Sequence, residues 1–231
     1  MTRFFQYVLR TTDAAAARRF YSAVLGRDDA RIVPLHEQAL ARGARPHWLG
    51  FLEVLDVDAA LSAFVARGAT QLGPKWMDAS GLEAATVRDA GGAIVALAKP
   101  ASASDDSVPG PAVAWQHLNT HGVERARADY GALFDWHFEA PRDVGALGVI
   151  HPFCWQRGGA AVGGMSDIVG QPSRHAHWLF HLRVSALEPA LEAVHALGGA
   201  RLGPFTLPNG DRVAVCDDAQ GAAFALLETP G

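Results

Sequence analysis

Only two of the 231 residues are cysteine, Cys154 and Cys216. Two distant thiols cannot build a disulfide framework, so each reads as a small buried hydrophobe, and a reducing cytoplasm is the expected compartment. No apolar run approaches the ~20 residues that a membrane-spanning helix needs. The opening MTRFFQYVLRTTD lacks the apolar core and small-residue cleavage site of a secretory signal. Charge of one sign is lacking too: 24 acidic residues against 20 basic leave a net charge of −4, which gives no reason to expect nucleic acid or an anionic membrane as partner. Several short catalytic signatures are missing: G-x-G-x-x-G, a phosphate loop ending in Lys-Ser/Thr, G-x-S-x-G and H-E-x-x-H. With 49% apolar and 19% charged residues, the composition is that of a soluble globular protein long enough for one large domain or two small ones.

What the chain does have is repetition. WLGFLEVLDVDAALSAFVARGATQLGP (48–74) and WLFHLRVSALEPALEAVHALGGARLGP (178–204) align without a gap, identical at 12 of 27 positions, and His47 and His177 precede them alike. GLEAATVRDAGGAIVAL (81–97) matches GDRVAVCDDAQGAAFAL (210–226), and YVLRTTDAAAARRFYSAVLG (7–26) matches QHLNTHGVERARADYGALFD (116–135). The offset grows from 109 to 130, so the second half holds 21 extra residues between Asp135 and His177. The expected organisation is a first domain over 1–100, a Ser-, Asp- and Pro-rich linker over 101–111 and a second domain over 112–231.

Each half is doubled again. Tyr7 and Leu9, and then Leu52 and Val54, are apolar at period 2, as in a strand with one buried face. The spacing then changes to that of a helix. Val57, Ala60, Leu61, Phe64 and Val65 share a face, as do Leu187, Ala190, Leu191 and Val194. Asp13 and Asp56 stand where N-caps belong, Gly68 and Gly198 where helices end. Hairpins are expected at Gly91-Gly92 and Gln220-Gly221. The unit is β-α-β-β-β, used four times.

A strand ending in LRTTD, a helix containing RRFYSAVLG, then DVDAALSAFVARGA and RDAGGAIVAL resemble the vicinal oxygen chelate superfamily, which includes glyoxalase I, extradiol dioxygenases and bleomycin-resistance proteins. The likeness covers nearly the whole chain, in the tandem two-domain form. It implies an α+β fold in which paired modules curl their strands into an open, cup-shaped mixed sheet with helices outside. It also implies where a metal would be held: a His or Gln seven residues before each helix-capping position, and a Glu seven after the Asp of each terminal hairpin. Gln6 satisfies the first condition. Leu49, Trp115 and Leu179 do not, and Ala96 and Ala225 fail the second. One Gln does not hold a divalent ion, so no metal and no cofactor are expected.

Alternation still identifies the strand faces that would line each cup. In the second half these carry Trp115, His117, Asn119 and His121, then His177, Leu179, His181 and Arg183. In the first they carry Gln6, Val8, Arg10 and Thr12, then His47, Leu49, Phe51 and Glu53. Trp48 and Trp178 fall on the helix side and belong to the core. CWQRGGAAVGGM (154–165), inside the excess, reads as strand-turn-strand at a cup rim and brings Trp155. His175 and His177, two apart, could ligate together, but the matching His47 favours a structural role in both halves. Asp217-Asp218, matched by Asp89, reads as a turn acid. The expected ligand-binding set is Trp115, His117, Asn119, Trp155, His181 and Arg183, around a small, partly aromatic molecule. The alternative is an enzyme, a lyase, isomerase or dioxygenase type working by histidine acid/base chemistry or an atypical metal site; no catalytic residue is assigned. The oligomeric state is not fixed by the sequence, and a homodimer is one outcome it allows.

Overall fold

The structure, a computed structural model, describes residues 2–78, 80–100, 112–170 and 175–230; the expected linker lies outside the described residues. In chain order the first half runs β1 (Phe4–Thr11), α1 (Ala14–Leu25), β2 (Ile32–Pro34), α2 (Glu37–Ala41), β3 (His47–Glu53), α3 (Val57–Ala66), β4 (Thr70–Gln71), β5 (Trp76–Met77), β6 (Glu83–Arg88) and β7 (Ile94–Lys99). The second runs β8 (Val113–Thr120), α4 (Val123–Phe134), β9 (His137–Phe138), β10 (Arg142–Asp143), a 3-10 turn (Gly145–Leu147), β11 (Val149–Cys154), β12 (Gly163–Asp167), β13 (His177–Arg183), α5 (Leu187–Ala196), β14 (Ala200–Thr206), β15 (Arg212–Asp217) and β16 (Ala223–Glu228).

The strands form two open mixed sheets, one per half. The order is β2-β1-β3-β7-β6-β4 in the first, with β5 also on β6, and β10-β11-β12-β8-β13-β16-β15-β14 in the second, with β9 also on β11. The paired-module architecture is present, and its first module is abbreviated. β2 lies parallel to β1 as β12 lies parallel to β8, but among the described residues the first half has no strand in the place of β11. The 21 extra residues of the second half are thus not a loop added to a common plan. They are the strands that complete a module which the first half keeps in shortened form.

Local chemistry sets the elements. Asp13 Oδ1 accepts from the Ala16 amide at 2.9 Å and Asp56 Oδ1 from Ala59 at 2.9 Å, capping α1 and α3. α4 and α5 have no capping side chain of their own, but Asp167 Oδ2 accepts from the Val123 amide at the start of α4 (3.2 Å). The apolar face of α5 is buried as read. That of α3 is narrower, because Val65 is 49% exposed.

One hydrophobic core runs through both halves, with Trp48 and Trp178 inside it. Gly50 lets the sheets meet back to back: a Cβ there would lie 2.6 Å from the rings of both Phe4 and Phe180. Tyr7 and Gln116, equivalent in the repeat, join across the junction, the Gln116 amide donating to the Tyr7 hydroxyl at 2.8 Å. The turn acids do double duty. Asp218 Oδ1 accepts from the Gln220 and Ala222 amides of its turn, while Oδ2 accepts from Tyr21 on α1 at 3.2 Å. Asp89 likewise accepts from Ala93 and from Tyr130 on α4. Beside Asp218, Gln220 fills a slot at the start of α1, bonded to Thr12 and Asp13. The equivalent slot at the start of α4 faces Gly91 and stays open as a cavity of ≈ 20 Å³, room for about one water.

Candidate functional site

β8 and β13 run antiparallel through the centre of the second sheet, with His117 opposite Leu179, Trp115 opposite His181 and Asn119 opposite His177. His117 and His181 are therefore diagonal neighbours on one face, with ring centroids 6.3 Å apart. His181 is only 8% exposed, and neither ring nitrogen has a hydrogen-bond partner. Burial, reinforced by His117, pushes its pKa down to about 3, so the imidazole is neutral. An imidazole without partners is costly to bury and needs something to bond.

The rest of this cup is mostly apolar. Leu179, Val213 and Ala225 form its floor, with Phe205, Leu207 and Val215 around them and Leu147 reaching in from the 3-10 turn. The half-buried Trp115 leans on β12, where the missing side chain of Gly164 admits the indole: a Cβ there would lie 3.1 Å from Trp115 Cζ2. Gly163 serves the other face, since a Cβ there would collide with Phe153 and the Gln116 carbonyl. Asn119 is buried beside His177.

Two residues of the expected set stand elsewhere. Trp155 does not reach the cup. Its ring lies 4.8 Å from Trp136, 5.3 Å from Phe153 and 6.1 Å from Phe4, packed on the core between the halves. It shares parity with Phe153, which points to the helix side of β11, and that signal was present in the sequence. Arg183 is exposed, its Nη1 donating to Thr229 Oγ1 at 3.0 Å beyond the end of β16, so it belongs to the rim and not to the surroundings of His181. His177 Nδ1 bonds the His175 carbonyl oxygen at 2.8 Å just as His47 Nδ1 bonds that of Arg45 at 2.7 Å; the shared histidine has the same structural bond in both halves.

At the positions where the likeness would place metal ligands, the side chains do not fit a metal. Leu49, Ala96, Leu179 and Ala225 are buried apolar side chains at the positions where ligands would stand. Gln6, the one position of ligand type, already accepts from Arg31 Nη1 at 3.0 Å through its side-chain oxygen, which places a cation where a metal would have to sit. Among the described residues no three His, Cys, Asp or Glu side chains gather closely enough to hold an ion.

The doubled, cup-shaped sheets decide the comparison with known proteins. The chain has the vicinal oxygen chelate fold, in its tandem two-domain form. LapB, a 2,3-dioxygenase from Pseudomonas sp. KL28, superposes with a TM-score of 0.61 over 99% of this chain and 92% of its own, at 13% identity. Homoprotocatechuate 2,3-dioxygenase from Brevibacterium fuscum reaches 0.64 over 99% and 71%, at 14% identity. The Mn(II)-bound glyoxalase from Novosphingobium aromaticivorans reaches 0.59 over 99% and 83%, at 11% identity. In sequence the chain is 26% identical to "Putative glyoxylase CFP32" of Mycobacterium bovis and of Mycobacterium tuberculosis, over 95% of this chain and 92% of theirs. No protein-family profile matches the chain. No helix among the described residues is long and apolar enough to cross a membrane.

Proposed function

We propose that this tandem glyoxalase- and dioxygenase-like protein binds a small, partly aromatic molecule in the cup of its second half, without a metal. The observation that carries the reading is His181: a buried neutral imidazole with two unused ring nitrogens, beside His117 and above an apolar floor. A concave apolar surface with a few polar groups is the usual form of a small-molecule site. Trp115 supplies a flat face, and Asn119 a further polar side chain on the same strand.

The depressed pKa of His181 favours binding over catalysis. A general base works best with a pKa near the working pH; at about 3 the imidazole accepts a hydrogen bond from a hydroxyl but is too weak a base to hold its proton. The ligand chemistry that fits is therefore a neutral hydroxyl-bearing ring. One of the dioxygenases of like fold is described in complex with 3,4-dihydroxyphenylacetate, which is compatible with a ring in such a cup.

Calorimetric titration with phenol and catechol tests the proposal, beside elemental analysis of protein dialysed against a chelator. The expected outcome is phenol or catechol binding by metal-free protein, weakened about 3- to 10-fold by Trp115→Ala and by His117→Ala. Their thermal midpoints should stay within a few degrees of the parent, since neither side chain belongs to the buried core. About one tightly held transition metal per chain, or turnover in glyoxalase or catechol-cleavage assays, would replace this reading with the enzymatic one.

A further inference from the structure

The cup of the first half differs in kind. Where the second has His117 and His181, the first has Val8 and Phe51, both buried in an apolar cluster with Leu49, Leu82, Ala84, Ala96 and Ala98. At its rim lies Arg10, cross-strand from His47, with its guanidinium 5.6 Å from the centre of the Trp76 ring. We propose that the rim of this cup is a second binding site, selective for a small planar organic monoanion such as an aromatic carboxylate, gripped by Arg10 with its ring against Trp76.

The argument starts from an unmet need. A guanidinium presents a fork of donors and stays charged, yet Arg10 makes no ion pair among the described residues and its Nε is buried without an acceptor. Arg27 and Arg127 also bury a guanidinium nitrogen without a partner, but each has an acidic neighbour, Asp29 and Glu124; Arg31 has Gln6 and Asp78, Arg67 has Asp129, and Arg212 has Glu188 and Glu228. Nor can the neighbours of Arg10 serve it. Arg31 adds positive charge, as the lowered pKa of Arg10 reflects after the larger effect of burial. Asp78 is committed to Arg31, to the Ser80 hydroxyl and to the amides of Ser80 and Leu82. Among the described residues nothing supplies the anion, which favours one from outside the chain.

Shape narrows its identity. A carboxylate matches the guanidinium fork with two parallel hydrogen bonds. The wall within reach is flat and apolar: the half-buried Trp76, held edge to face on the buried Phe51 at 6.2 Å. On the side of β1 away from β3 the sheet is short: the three residues of β2 form its edge, where β12, β11 and β10 extend the other sheet beyond β8. This reading does not depend on the His181 site.

Benzoate is the probe, with benzyl alcohol and inorganic phosphate as controls, titrated into the full chain by calorimetry and followed by thermal shift. Benzoate is expected to bind and to raise the thermal midpoint, with both controls at least about tenfold weaker. Arg10→Met should weaken benzoate about tenfold or more while leaving its own midpoint at or above the parent's, because an unpaired cation has left the cup. Arg10→Lys, which keeps the charge and loses the fork, should recover only part of the affinity, and Trp76→Leu should weaken benzoate with the charge intact. His181→Leu should leave benzoate binding unchanged. Benzoate held equally well by Arg10→Met, weakened by His181→Leu, matched by phosphate, or not bound by the parent would each overturn the proposal.

Discussion

Replacing Trp136 by alanine should lower the free energy of unfolding by about 3–5 kcal/mol, the range for truncating a large buried aromatic. Trp136 is 3% exposed. Its ring stacks on Phe153 at 4.7 Å and on Tyr130 at 5.2 Å, meets Trp155 at 4.8 Å, and its Nε1 donates to the Thr2 carbonyl oxygen at 2.9 Å. Thr2 and Phe4, whose ring lies 6.2 Å from that of Trp136, belong to the first half and the other partners to the second, so the cavity would open at the junction. Both sheets should therefore lose stability in one transition, and Trp136→Phe should restore most of it. Urea unfolding followed by circular dichroism checks this. Two separated transitions, with only the second half weakened, would show that the junction does not couple the halves.

What could be read beforehand was local. A capping Asp acts on an amide three residues away, and a helix face repeats every few residues, so Asp13, Asp56 and the buried stripe of α5 follow from short windows. The gap-free repeat did more, since two segments with the same core-facing residues must build the same shape. What escaped was set by distant partners. Asp218 is the turn acid its neighbourhood indicates, but its other oxygen takes Tyr21 from 197 residues away, and no short-range pattern encodes that. The 21-residue excess was ambiguous for a different reason. One chain compared with itself does not say which half has gained or lost, and only the parallel pairing of β2 on β1 identifies the first half as the shortened one.

The cup residues were legible as a face and not as a site. Period 2 put His117 and His181 on one side of the sheet, and their rings do meet. It also put Arg183 there, but a side chain at a strand end goes to whatever bonds it, here Thr229. Comparing the two faces is more informative than either alone. The helix-side residues Trp48 and Trp178 are kept, while the centre changes from Val8 and Phe51 to His117 and His181. Positions that hold the fold are repeated and positions that line the cups have diverged, as expected when function is carried by sites on a shared scaffold.

Acidification should expose the cost of His181. Its pKa lies near 6.5 unfolded and at about 3 in the folded protein. Between these values the unfolded chain takes up a proton that the folded chain refuses. The stability attached to the neutral ring is thus complete above pH 6.5 and is lost as pH falls toward 3. Each unit of pH in that window is worth up to about 1.4 kcal/mol, so moving from pH 7 to pH 4.5 should cost about 2–3 kcal/mol through this residue alone. His47 and His151 are also lowered, chiefly by burial, and act in the same direction; Asp89 and Asp217 are raised and act in the opposite one. The comparison that isolates His181 is therefore the parent against His181→Leu, in which the other groups cancel. The variant, filled by a side chain that needs no hydrogen bond, should match or exceed the parent at pH 7 and lose about 2–3 kcal/mol less by pH 4.5. Phenol binding should disappear with the imidazole. Parallel pH profiles for parent and variant would mean that His181 gains a proton readily in the folded state, and the closed, neutral site built around it would have to be abandoned.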